Sequence, residues 1–388
     1  MRHKIVLVAV AAAVLFVIAF RAPVSSDTEP TTVTRADGAA VLGSRSGVTS
    51  PPESQPGIDV EKLAPGEQPP QLVVVSVDGS CETRGGTIRK FMDVGNSVGA
   101  HFTFFITGLC LLPEGSRMLY RPPTHAAGQS DISFADADMV AERVRTFTDM
   151  YRSGHEIGTH FLGHFCGEDK GVGTWSTDDW RSEIEQSARF LDEWAANNPQ
   201  VQGVDPLPFD SSVIKGDRTP CLLGQRGQMW KAFEEADFAY EASDPGALQW
   251  PRKVHDGKLW QFPLPAVKLA GTGKWVLSMD YNFLYNQNNA QTNADPAKCA
   301  SVEEQTYRTL MDSLTAVYEG NRAPLITGSH LNDWLCGAYI NSLQRFIADA
   351  AGKYPDVKFV SFAELAQWLD AQDAAVLDEL QSRPAQRY

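Results

Sequence analysis

The chain has 388 residues, with 34 Lys and Arg against 48 Asp and Glu, a net charge of −14. An acidic surface offers no electrostatic footprint to a phosphate backbone, which argues against nucleic acid as a partner. Nine Trp, ten Tyr and nineteen Phe exclude a mainly disordered protein, and six cysteines are too sparse for a small disulfide scaffold.

The first element is an apolar run from Ile5 to Phe20, behind Arg2 and Lys4 and ahead of Arg21 and a Ser/Thr-rich stretch. A basic start and a short apolar core read as an export signal, or as an uncleaved membrane anchor, over residues 1–26. The run falls short of the ~20 residues that span a bilayer comfortably. Residues 27–69 are rich in Pro, Ser, Thr and Gly and read as a flexible linker. Export would place the cysteines in an oxidising compartment, with up to three disulfides. A folded domain is expected over 70–370 and a helical tail over 371–388.

Within that domain, short apolar runs predict buried strands at Leu72–Val77, Phe102–Ile106, Trp275–Met279, Leu325–Thr327 and Val357–Val360. Amphipathic patterns predict helices at Ala137–Tyr151, Asp178–Asn197, Val302–Tyr318 and Tyr339–Ala351. The second opens on two aspartates, as the helix dipole favours. Strands alternating with helices predict an α/β domain with a largely parallel sheet, whose function sits at the C-terminal edge of the strands.

Polar residues gather at those predicted strand ends. Asp78 follows the first strand and precedes Gly79, which suits either a turn or the lining of a cleft. The segment Gly154-His-Glu-Ile-Gly-Thr-His160-Phe-Leu-Gly-His164 holds three of the eight histidines. On a turn of helix, residues four apart share a face, so His160 and His164 can reach one ion. With Asp78 they make a two-His, one-carboxylate set suited to Zn²⁺ or another divalent first-row metal. Arg218 can hold a carboxylate bidentately, and His330 can serve as a general acid oriented by Asp280 or Asp333.

Taken in order over residues 70–370, these segments resemble the polysaccharide deacetylase family, also called the NodB-homology or carbohydrate esterase 4 domain. The His160-x-x-x-His164 segment resembles its second motif, Arg218-Thr-Pro its third and the strand ending in His330 its fifth. The fourth is matched loosely around Asp280. The resemblance implies a distorted (β/α) barrel and a metal-dependent hydrolase that removes acetyl groups from a polysaccharide or a related amide or ester. It implies a divalent ion, commonly zinc, on Asp78, His160 and His164, with His330 as the acid and Arg218 positioning the base. It also implies a carbohydrate or cell-wall substrate.

One departure stands out. The family's first motif carries two adjacent aspartates, the first the base and the second a metal ligand. Here the pair reads Val77-Asp78. Valine takes no proton, so the alternative is a non-catalytic metal- or carbohydrate-binding relative. Glu82, Asp217 and Asp280 are candidate substitute bases, and Arg218 is expected to pair with Asp280 or Asp217. Trp175, Trp334 and Tyr339 are candidates to face a sugar ring. Cys81, Cys166, Cys221 and Cys336 all lie close to these motifs, where disulfides would pin the loops around the cleft.

Overall fold

A strand covered on both faces carries apolar side chains in both directions. Leu72–Val77 is such a run, and it forms a fully buried interior strand of the main sheet. The computed structural model describes residues 60–167 and 169–388; the expected leader and most of the expected linker lie outside them. The strands are β1 (Gln71–Asp78), β2 (Thr103–Ile106), β3 (Glu156–Thr159), β4 (Gly216–Asp217), β5 (Tyr240–Glu241), β6 (Pro245–Gly246), β7 (Arg252–Val254), β8 (Leu259–Gln261), β9 (Leu264–Lys268), β10 (Trp275–Leu277), β11 (Leu325–Ser329) and β12 (Val357–Phe359). The helices are α1 (Thr87–Ser97), α2 (Val140–Arg152), α3 (Thr177–Asp192), α4 (Trp194–Asn197), α5 (Arg226–Glu235), α6 (Asp280–Asn288), α7 (Pro296–Glu319), α8 (Trp334–Lys353), α9 (Phe362–Asp370) and α10 (Ala374–Ser382).

The main sheet runs β11-β1-β2-β3-β4-β5-β8-β7, with β12 also paired to β1. Neighbours from β11 to β8 are all parallel, and only β7 returns antiparallel. This is the curled parallel sheet of a distorted (β/α) barrel, as expected. Alternation along β1 separates two cores. Leu72 and Val74 face an inner cluster with Phe105, Tyr240, Ile326 and Phe362, which α9 and α10 plug. Val73, Val75 and Val77 face the outer layer of α1, α2, α3, α7 and α8. The parity of a residue on β1 therefore decides whether it can reach the barrel interior.

Trp275–Leu277 departs from expectation by pairing antiparallel with β9 in a separate three-stranded sheet; only Met279 bridges to Gly328 of β11. The helix expected over Asp178–Asn197 breaks at Glu193. Its start follows from a capping box, in which Ser176 and Asp179 satisfy each other's backbone N–H groups. The chain's end packs on the same body: Val376 and Leu380 enter the inner core, and the Tyr388 hydroxyl lies 2.7 Å from Ser313 Oγ. Leu63, within the expected linker, is buried and donates its N–H to Gln372. Among the described residues no helix is long and apolar enough to cross a membrane.

All six cysteines pair. Cys81–Cys110 joins the segment after β1 to the one after β2, and Cys166–Cys221 joins those after β3 and β4. Cys299–Cys336 joins the first turns of α7 and α8.

Candidate active site

Asp78 ends β1 on the inward parity, next to Ser76. Both accept hydrogen bonds from Arg218 Nη1, Asp78 Oδ1 at 2.9 Å and Ser76 Oγ at 2.7 Å. The guanidinium is fully buried, donates Nε–H to the Ala242 carbonyl, and lies 5.0 Å from the Phe105 ring centroid. Gly328 of β11 makes room for it: a Cβ there would stand 3.2 Å from Nη1. Burial pushes the Asp78 carboxyl up, but the Arg218 charge, with His160 and His330 nearby, brings it below the usual aspartate value. It is ionised at neutral pH. The expectation that Arg218 pairs with Asp280 or Asp217 is thus corrected: its partner is Asp78. Val77 is fully buried among outer-layer side chains, because consecutive residues of a strand face opposite ways.

His160 follows β3 and is buried. Its Nδ1 is 2.7 Å from the Arg218 carbonyl, which fixes that nitrogen as the donor and leaves Nε2 with its lone pair. Burial pushes its pKa down to about 3, and burial also lowers His164, so both rings are neutral. Their centroids are 5.1 Å apart. They are brought together by a turn rather than by the helix expected from their spacing: Phe161 and His164 both have left-handed backbone, with φ of 58° and 54°. Two neutral imidazoles, one oriented through its other nitrogen, fit a divalent ion. A third donor is not preassembled. Among the described residues, the His, Cys, Asp or Glu groups with all donors within 4.8 Å of one another are His164, Cys166 and Cys221, and the two cysteines are spent on each other.

His330 follows β11 and faces the same space. Asp280, at the start of α6, holds it twice: Oδ1 lies 2.7 Å from His330 Nδ1, and Oδ2 accepts the His330 N–H at 2.6 Å. Ser329 Oγ and the Tyr281 N–H donate to the same carboxylate. Burial pulls the His330 pKa down, but the Asp280 charge and hydrogen bond, with Asp78 behind them, push it up to about 9. The ring is therefore an imidazolium at neutral pH, with Nε2–H free of Asp280. The raised value makes the ion pair stabilising below the ordinary histidine pKa, and that stability is lost as pH rises through about 9. Urea unfolding of the parent and of Asp280→Asn should show a gap whose pH-dependent part, on the order of 2 kcal/mol, is full at pH 6 and gone above pH 10.

Of the other candidate bases, Glu82 and Asp280 are occupied as acceptors, and Asp217 is buried with neither carboxylate oxygen hydrogen-bonded. Glu82 accepts the N–H groups of Thr83, Ile88 and Arg89 at the start of α1. Asp217 stands beside Glu241 on the neighbouring strand, on the parity opposite to Arg218. Burial and the Glu241 charge raise Asp217 well above the aspartate range, and burial and the Asp244 charge raise Glu241 to about 7. His155 lies at the opposite end of β3, stacked on Phe102, and takes no part in the cluster. Trp175 and Tyr339 are core residues; Trp334 alone of the expected aromatics stays partly exposed, 5.8 Å from the His330 ring.

Three contributors were not anticipated. Ser76 shares the parity of Asp78, a signal present in the strand pattern. Tyr281 is 37% exposed and lies edge-on to Trp334 at 6.1 Å. Glu183 sits on the buried stripe of α3 with Trp180, Ser187 and Phe190, and a carboxylate on an apolar face signals a buried partner.

The fold and the cluster at its C-terminal edge thus describe an α/β half-barrel with an ionised acid–base pair beside two neutral histidines. No family model matches the chain, and no curated protein matches its sequence. Among solved structures it is similar to a putative polysaccharide deacetylase from Mycobacterium smegmatis, with 15% identity, 88% of this chain and 99% of that chain covered, and a TM-score of 0.48. A carbohydrate esterase 4 domain of a xylanase from the hindgut metagenome of Trinervitermes trinervoides gives 12% identity over 77% and 90% of the two chains, TM-score 0.39. A peptidoglycan deacetylase from Bacillus subtilis gives 10% identity over 79% and 94%, TM-score 0.38.

Proposed function

We propose that this chain is an exported hydrolase that removes acetyl groups from a carbohydrate, with Asp78 accepting a proton and His330 donating one. The observation that carries this reading is the opposed state of the two groups. Arg218 keeps Asp78 ionised, and Asp280 keeps His330 protonated. Neighbouring groups driven to opposite protonation states are suited to acid and base roles in one reaction.

The resemblance in the sequence assigns Arg218 to the base, and the residue Arg218 holds is Asp78. That supports moving Asp78 from the ligand position to the base position, one step along the motif, with Gly79 after it where the ligand would stand. Val77 then replaces nothing, since it faces the helices. His160 and His164 would hold a divalent ion, which supplies polarisation of the acetyl carbonyl and of a water when bound. Asp78 takes the proton of the attacking water while Arg218 and Ser76 fix its orientation. His330 Nε2–H delivers a proton to the departing amine or alcohol, and Asp280 balances the imidazolium. Trp334 and Tyr281, beside His330, offer the flat apolar faces that stack on a pyranose ring. Three disulfides fit an oxidising compartment.

The test is divalent ion content and acetate release by the purified full-length chain on acetylated chitooligosaccharide and acetylxylan, beside His160→Ala and His164→Ala. About one ion per chain, lost in both variants together with acetate release, is the expected result. A parent that binds ion and glycan but releases no acetate would instead establish the non-catalytic reading.

A further inference from the structure

We infer that Glu183 is a positioning residue for the two histidines, clamping the turn that sets the distance between His160 and His164. This rests on the reading of those histidines as ligands.

The turn needs a clamp. Phe161 and His164 are bulky residues in the left-handed region, a conformation that costs about 1–3 kcal/mol each and persists only where the surroundings impose it. The backbone groups between them are held from two sides. The Leu162 carbonyl accepts from Thr107 Oγ1 at 3.3 Å, and the Gly163 carbonyl accepts from the Asp131 N–H at 2.8 Å. On the donor side, the N–H groups of Leu162 and Gly163 both point at Glu183 Oε1, at 3.1 and 3.2 Å. The Tyr120 hydroxyl donates to the same carboxylate, 2.9 Å from Oε1 and 3.0 Å from Oε2. Glu183 and Tyr120 are both fully buried. Gly163 is required at this approach: a Cβ there would lie 2.5 Å from the Tyr120 hydroxyl oxygen.

Glu183 touches neither imidazole. It reaches them through two consecutive peptide N–H groups that lie between them in the chain. Those N–H groups buried without an acceptor would destabilise the turn, and its relaxation toward ordinary backbone would swing His164 away from His160. Glutamine can still offer its carbonyl oxygen to the two N–H groups and its amide to the Tyr120 oxygen, whereas methionine fills the space with no acceptor.

The experiment titrates Co²⁺ into the full chain, Glu183→Met, Glu183→Gln and the distant core variant Ile347→Ala, with thermal unfolding of each apo form. Amide proton and histidine ring resonances of Leu162, Gly163, His160 and His164 are followed by NMR without metal. The expected result is a roughly 10–100-fold weaker Co²⁺ affinity in Glu183→Met, near-parental affinity in Glu183→Gln, and unchanged affinity in Ile347→Ala despite its lower stability. The Leu162 and Gly163 amide protons should move upfield in both Glu183 variants. Folded Glu183→Met with parental affinity and unmoved His160 and His164 resonances would overturn the inference. If Glu183→Met does not fold, the amide shifts in Glu183→Gln decide, and parental shifts there overturn it. If the parent takes up no Co²⁺, the ligand reading of the histidines fails, and the clamp is still decided by the metal-free resonances.

Discussion

Asp78→Asn is expected to lower acetate release by ~10²–10⁴-fold while leaving the divalent ion in place. Asparagine is isosteric and still accepts from Arg218 Nη1, so the turn into the cleft keeps its shape. What it loses is the capacity to take a proton. The paired measurement is kcat for acetate release and ion content of the same preparation. If Asp78 is instead a ligand, the variant loses ion and activity together, and added metal restores part of the rate. The geometry favours the first outcome, because Asp78 Oδ1 is already committed to Arg218 and its oxygens are not assembled with both histidines.

Arg218→Met is expected to cost about 3–5 kcal/mol of stability at neutral pH, the usual effect of leaving one partner of a buried pair uncompensated. Both partners here are buried, Arg218 fully and Asp78 nearly so. The sign with pH is fixed by the lowered Asp78 pKa. The pair's stabilisation is present above the ordinary aspartate value and is lost as pH falls through the lower folded value. Urea unfolding at pH 7 and at acid pH should therefore show the gap between parent and variant narrowing on acidification. A gap that is small at pH 7 would mean that the His330 imidazolium already neutralises Asp78 without Arg218.

Much of the barrel was legible because its central strands are buried on both sides. Leu72–Val77 and Leu325–Thr327 stand out as apolar runs, and the helices between them show their stripe, whereas the strand Val357–Phe359 carries an exposed Lys358. The two-residue strands β4 and β5 carry no period to detect. Gly216–Asp217 and Tyr240–Glu241 exist because β3 and β8 offer them paired edges, a property of the neighbours. The His160–His164 spacing was informative about proximity and misleading about geometry, since a four-residue step is also spanned by a turn with two left-handed residues. The partner of Arg218 differs from expectation for another reason. Leu72, Val74, Ser76 and Asp78 share one parity and Val77 has the other, so the strand pattern already excluded Val77 from the cleft. Residue identity along a motif carries no information about which way each side chain faces.

The arrangement of the disulfides constrains the order in which this protein can mature. Six cysteines allow fifteen pairings. Cys166 and Cys221 are 55 positions apart in sequence, and the alignment of β3 beside β4 is what brings their Cα atoms to 5.9 Å. Cys81 and Cys110 depend in the same way on β1 lying beside β2. Correct oxidation is thus templated by strand pairing, and parallel pairing is slow because long loops must close first. A chain oxidised before its sheet forms is exposed to mispairing, with catalysed reshuffling the route back. The yield of native protein is then governed by the race between sheet assembly and thiol chemistry.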